Sequence, residues 1–145
     1  MHPLAGVLRM PDINYLAVVL AAVAAWLVGA VWYMALGKPW MAALGKTREE
    51  LMGPTGKPSA APFIISFVAE LVMAFVLAVL IVRLGPVTLA NGIATGFLAW
   101  VGFVATSMVV NHGFSGARPM LTAIDSGHWL AVLLVEGAVI GAFGS

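Results

Sequence analysis

Cysteine is absent from this 145-residue sequence and charge is scarce, with seven Lys and Arg, six Asp and Glu, and charged residues only 9% of the chain. Without cysteine there is no disulfide, no thiolate metal site and no cysteine nucleophile. A net charge of +1 provides no basic field, so no nucleic-acid partner is expected. No Asn-x-Ser/Thr acceptor occurs. Catalytic arrangements are lacking as well. Ser66, Ser107, Ser115 and Ser126 have no nucleophile-elbow glycines around them, and nothing pairs His112 or His128 with a nucleophile. The chain is therefore expected to be no enzyme and to carry no cofactor.

What is present is apolar. Hydrophobic residues make up 62% of the chain and the mean hydropathy is +1.05. Soluble domains carry about 25% charged residues, and this chain has too few to cover a surface in water. Lipid is its solvent, and the expected class is an all-α, polytopic membrane protein, one domain over 1–145. Spanning takes about 20 apolar residues, and four stretches qualify, at about 13–36, 63–84, 87–110 and 126–144. Asp125 or Ser126 is placed to cap the fourth. Ala22-Val23-Ala24 mimics a signal-peptide cleavage site, but the apolar stretch runs on to Leu36, so it is read as a span.

Arg83-Leu84-Gly85-Pro86 reads as a tight turn, making the second and third spans a hairpin. The first two are joined by a polar loop from Gly37 to Ala61, where Thr47-Arg48-Glu49-Glu50 is a capping box opening a short helical segment. Trp40, Met41, Leu44, Leu51 and Met52 would lay this segment on the membrane surface. The longer loops hold Lys38, Lys46, Arg48, Lys57 and Arg118, against Arg9 and Arg83 on the other side. The positive-inside rule then places both termini outside the cytoplasm of what is expected to be a bacterial inner membrane. Trp32, Tyr33, Trp40 and Trp129 are expected as aromatic interface anchors.

Small residues recur every four positions, as Ala17, Ala21, Ala25 and Gly29, as Gly92 and Gly96, and as Gly137 and Gly141. Such stripes let helices approach closely in lipid. They serve either packing within one bundle or a homo-oligomer interface. Ala25-Trp26 and Ala99-Trp100 open similar segments, too thin a match to argue a duplication.

Glu70 and Glu136 interrupt apolar runs, and an ionisable group in a span costs at least ~2.5 kcal/mol on insertion scales. Both should lie about eight residues, or ~12 Å, from the cytoplasmic boundary. If they face each other they form a proton or ion site, because two close carboxylates do not both ionise cheaply. The alternative is two separate, individually satisfied glutamates. A second polar group, Asn111, His112, Arg118, Asp125 and His128, is expected on the cytoplasmic face. Its spacing fits no established metal motif, so no metal is expected, and Arg118 with Asp125 would clip the loop. Gly45-Lys46-Thr47 resembles the end of a phosphate-binding loop, but Trp40 stands where that loop needs glycine.

Asn14-Tyr15-Leu16, Gly29-Ala30-Val31-Trp32-Tyr33 and Gly37-Lys38-Pro39-Trp40 resemble the first-helix signature of a bacterial family of small integral membrane proteins catalogued as a domain of unknown function. Gly92-Ile93-Ala94-Thr95-Gly96, Trp100-Val101-Gly102-Phe103 and Asn111-His112-Gly113-Phe114 resemble its third helix. Ile124-Asp125-Ser126-Gly127-His128 and Gly137-Ala138-Val139-Ile140-Gly141 resemble its fourth. The family pattern tends to have an aromatic such as Tyr at His128 and an apolar residue at Glu136, so neither is expected to be a family-wide device. The resemblance implies four membrane helices and no activity. Two function classes follow. One is a non-enzymatic membrane component that self-associates or packs with a partner. The other is a small oligomeric transporter or channel using Glu70 and Glu136, its small-molecule or ion ligand unspecified.

Overall fold

The computed structural model describes residues 3–143. Its elements are α1 (Pro3–Leu8), α2 (Tyr15–Ala35), α3 (Gly37–Leu44), α4 (Arg48–Met52), α5 (Ala61–Leu84), α6 (Leu89–Ala99), a π-helical segment (Trp100–Ala105), α7 (Thr106–Ser115) and α8 (Pro119–Phe143). Helix α6, the π segment and α7 run on as one rod, Leu89–Ser115. Four helices are thus long and apolar enough to cross a bilayer. This is a multi-pass, all-helical membrane protein, with no strand among the described residues.

Local signals explain most boundaries. Asn14 caps α2 by accepting from the Ala17 N–H, and Thr47 and Thr88 do the same for α4 and α6. Pro62 sits in the first turn of α5, where a missing N–H costs nothing. Gly45, at φ +74°, ends α3. The turn at Arg83–Pro86 forms as expected.

The fourth span differs. It begins at Pro119, not near Ser126, so Asp125 and Ser126 are interior residues and cap nothing. Asp125 does not end the helix, because Tyr33 of α2 supplies its partner. The expected end at 144 lies outside the described residues. The third span runs five residues past its expected end at Val110. Nothing in the sequence foretold α1, against which Arg83 docks by donating to the carbonyls of Gly6 and Arg9.

Helix α8 is the centre of the bundle and packs against α2, α3, α5, α6 and α7. Its contact with α6 is backbone on backbone. A β-carbon at Gly92 would stand 2.0 Å from the Gly137 carbonyl oxygen, and one at Gly96 would stand 2.4 Å from that of Leu133. Reciprocally, β-carbons at Gly137 and Gly141 would meet the carbonyls of Gly92 and Thr88 at 2.2 and 2.3 Å. Lipid tails are as apolar as leucine, so such helices associate by close van der Waals approach. Ala17, Ala21 and Ala25 are likewise buried inside the bundle. All three small-residue stripes are consumed within the chain.

The pairings also set depth. Between the antiparallel α2 and α8, Asn14 meets Phe143, Gly29 meets His128, Trp32 meets Ile124 and Tyr33 meets Asp125. One register accounts for all four contacts and sets Glu136 level with Ala21. Between α2 and α5, Tyr15 meets Phe75 and Trp26 meets Ser66. That register sets Glu70 at the same level. It also starts α5 beside residue 30 of α2, leaving the last turn of α2 without a partner from α5.

The glycine contacts predict an asymmetry. Gly92→Val or Gly137→Leu should destabilise the protein by more than the ~1–3 kcal/mol of ordinary overpacking, because the obstacle is backbone. Gly102→Ala, with nothing within 4 Å of its β-carbon, should be nearly neutral. Thermal unfolding followed by size-exclusion in mild detergent separates the two classes.

Candidate functional site

Glu70 and Glu136 are the most deeply buried charged side chains, 1% and 0% exposed. Glu70 Oε1 and both Glu136 carboxyl oxygens are buried with no hydrogen-bond partner among the described residues. They come from different helices, α5 and α8, and the helix registers set them at one level. Glu70 lies at about the depth expected of it, and Glu136 lies much farther from the start of its helix than expected. Because α8 starts early, Glu136 is seventeen residues from Pro119, or ~25 Å along the helix. Glu70 is nine residues, or ~13 Å, from Ala61, and the late start of α5 brings the two together. The pair lies nearer the end of α2 that carries Tyr15 than the end that carries Ala35.

Below the pair is a cleft of about 640 Å³. It exists because α5 begins beside residue 30 of α2 and α3 folds back under the gap. Trp26, Gly29, Ala30, Tyr33 and Met34 of α2 form one wall. Pro62, Phe63, Ser66 and Glu70 of α5 form the other, Gly37, Trp40 and Met41 close the base, and His128 enters from α8. Two further buried polar atoms around it, Trp40 Nε1 and His128 Nδ1, have no partner among the described residues. Buried polar groups are normally paired, so three orphans around one cleft mark it out.

Aromatic packing holds these groups in place. The Tyr33 ring centroid is 4.9 Å from that of His128 and 5.6 Å from that of Trp40. The Trp129 ring centroid lies 4.7 Å from that of His128. Gly29 makes room for the imidazole, since a β-carbon there would come within 2.7 Å of Nε2. The Tyr33 hydroxyl donates to Asp125 Oδ1 at 2.6 Å. Trp26 Nε1 donates to Ser66 Oγ at 3.1 Å and to the Phe63 carbonyl at 3.2 Å.

The polar group expected on the cytoplasmic face is dispersed. His112 Nδ1 pairs with Thr122 Oγ1 at 2.8 Å, Asp125 pairs with Tyr33, and Asn111 is exposed. Arg118 donates to the Ala42 carbonyl and fastens α3, not Asp125. No trio of metal-binding side chains gathers among the described residues. Trp32 and Tyr33 are half-buried in the last turn of α2 and bond within the bundle, Trp32 Nε1 donating to the Ile124 carbonyl at 3.1 Å. Trp129 sits ten residues into α8, away from its end. Sequence reasoning missed Trp26, Ser66 and Thr122 as site residues. The spacing of Trp26, Gly29, Ala30 and Tyr33 at i, i+3, i+4 and i+7 was the readable signal of one shared face.

Residues 16–141 match the family model described as Protein of unknown function (DUF1761). The chain belongs to this family. The DUF1761 match takes in parts of all four spans and includes Glu70, His128 and Glu136. Neither curated proteins nor solved structures give a match.

Tyr33→Phe should cost about 1.5–3 kcal/mol, the range for a hydrogen bond to a charged group, because it strands the part-buried Asp125. Asp125→Asn, which still accepts from Tyr33, should cost less. Denaturation in lipid micelles measures both.

Proposed function

We propose that this DUF1761 protein is a non-enzymatic membrane carrier that takes up a proton or small cation on the Glu70–Glu136 pair. The observation behind the reading is that two buried, unpartnered carboxyls from different helices share one depth, and one of them lines a cleft. Keeping an uncompensated carboxylate in such a site is expensive. A proton or cation removes that cost, and its departure restores it, which is the property a carrier site needs. The buried face of α8 continues the line, with His128, Val132 and Glu136 at four-residue spacing. The lysine and arginine distribution favours an orientation with the cleft towards the cytoplasmic leaflet and both termini outside.

Glu70→Gln and Glu136→Gln, each reconstituted in vesicles, should abolish flux driven by a pH gradient while leaving helicity and elution volume unchanged. Unchanged flux in both variants would remove the reading. A reporter fused to the C-terminus should be active only outside the cytoplasm.

A second reading, self-association, is favoured by the third span. Only 11% of its most apolar window is buried, against 39% for α8. Four helices leave little room for a complete pathway, so an oligomer joined along this rod complements the carrier reading. Native mass spectrometry from lipid should show a defined oligomer that Gly102→Leu, on the rod, disrupts. A monomer in every lipid tried would contradict it.

A further inference from the structure

We infer that the cleft beneath Glu70 is a binding site for a lipophilic organic cation, an apolar body carrying one ammonium-type charge, which enters from the lipid rather than from water. The inference rests on the carrier reading only in taking Glu70 to be open to a ligand.

Three observations converge. The volume, about 640 Å³, falls in the ~300–1,000 Å³ range of small-molecule sites. The wall is apolar and aromatic, with Trp26, Tyr33, Trp40 and Phe63 presenting the ring systems whose faces attract cations. Glu70, 1% exposed and lacking a partner at Oε1, supplies a single negative group at the deep end. An anion would be repelled by that carboxylate, and a neutral apolar molecule would leave it as orphaned as before.

The route of entry follows from exposure. Ala30, Met34 and Phe63 line the cleft yet lie on the outer surface of the bundle, Met34 82% and Phe63 54% exposed. They stand in or near the end turns of two helices long enough to span, so the outer surface they form faces lipid. The water side is covered by α3, which sets Trp40 and Met41 across the base and is fastened by Arg118 to α8. A ligand reaching Glu70 therefore crosses a lipid-facing rim, which selects for an amphipathic molecule. Trp40 Nε1 and His128 Nδ1, also without partners, are free to meet a polar atom on its body.

The test uses the full chain in nanodiscs of uncharged phosphatidylcholine, with empty discs subtracted. The probe is a bromine-tagged dodecyltrimethylammonium, which quenches tryptophan on contact. The comparison compound is the same chain ending in tert-butyl, an uncharged isostere. The cation should quench saturably, near one per chain, and the neutral compound should not saturate. Glu70→Gln should weaken the cation at least tenfold. Ala30→Phe, at an exposed rim position where folding is not at risk, should fill the cleft and also weaken it at least tenfold. Equal quenching by both compounds, or affinity unchanged in a folded Glu70→Gln or Ala30→Phe variant, would overturn the inference and leave an apolar groove for acyl chains. Saturable binding without flux would keep this site and remove the carrier reading, whereas flux without binding would do the reverse.

Discussion

The carbonyl oxygens of Gly137 and Gly92 stand 2.0 and 2.2 Å from where a β-carbon on the other glycine would be. This backbone contact between α6 and α8 is the constraint on which the rest of the bundle depends. Lipid supplies no hydrophobic force to drive helices together, so they must gain from proximity, and only glycine permits this degree of it. Held against α6 on one side and the alanine stripe of α2 on another, α8 has its inward face determined. That face carries Ile124, His128, Val132, Glu136 and Ile140. Two ionisable groups are thereby drawn into the interior by the packing of their neighbours.

A second constraint makes room for them. Arg83 fastens the far end of α5 to the carbonyls of Gly6 and Arg9. With that end fixed, α5 reaches beyond α2 on one face of the bundle and starts short of it on the other. Helix α3, held by Arg118, covers the space without filling it. The cleft is thus a consequence of helix register, and Glu70 lies at its inner end because it shares a level with Glu136. Packing, depth and chemistry are therefore one argument in this protein.

Much of this was legible in the sequence. Apolar run length located the first two spans to within two residues at each end, because lipid imposes both composition and length. Thr47 and the Arg83–Pro86 turn act through local geometry and are readable for that reason. The fourth span was misplaced at its start because Asp125, Ser126, Gly127 and His128 look like a cap. Asp125 finds its partner in the distant Tyr33, and a distant partner leaves no local pattern. The π segment at Trp100–Ala105 has no readable cause in its own residues. Glu70 and Glu136 stood out at once, but that they share a level depends on two helix registers that composition does not encode.

The central claim is that Glu70 and Glu136 form one site, not two. A double-mutant cycle measures this directly, with Glu70→Gln, Glu136→Gln and the double variant compared for unfolding free energy in one lipid environment. Residues in contact or in one network couple by ~0.5–3 kcal/mol, whereas independent ones add within ~0.5 kcal/mol. A coupling energy of about 1 kcal/mol or more is the result expected here. Additivity within error would mean that the two carboxyls do not act on each other, and the shared site would be contradicted.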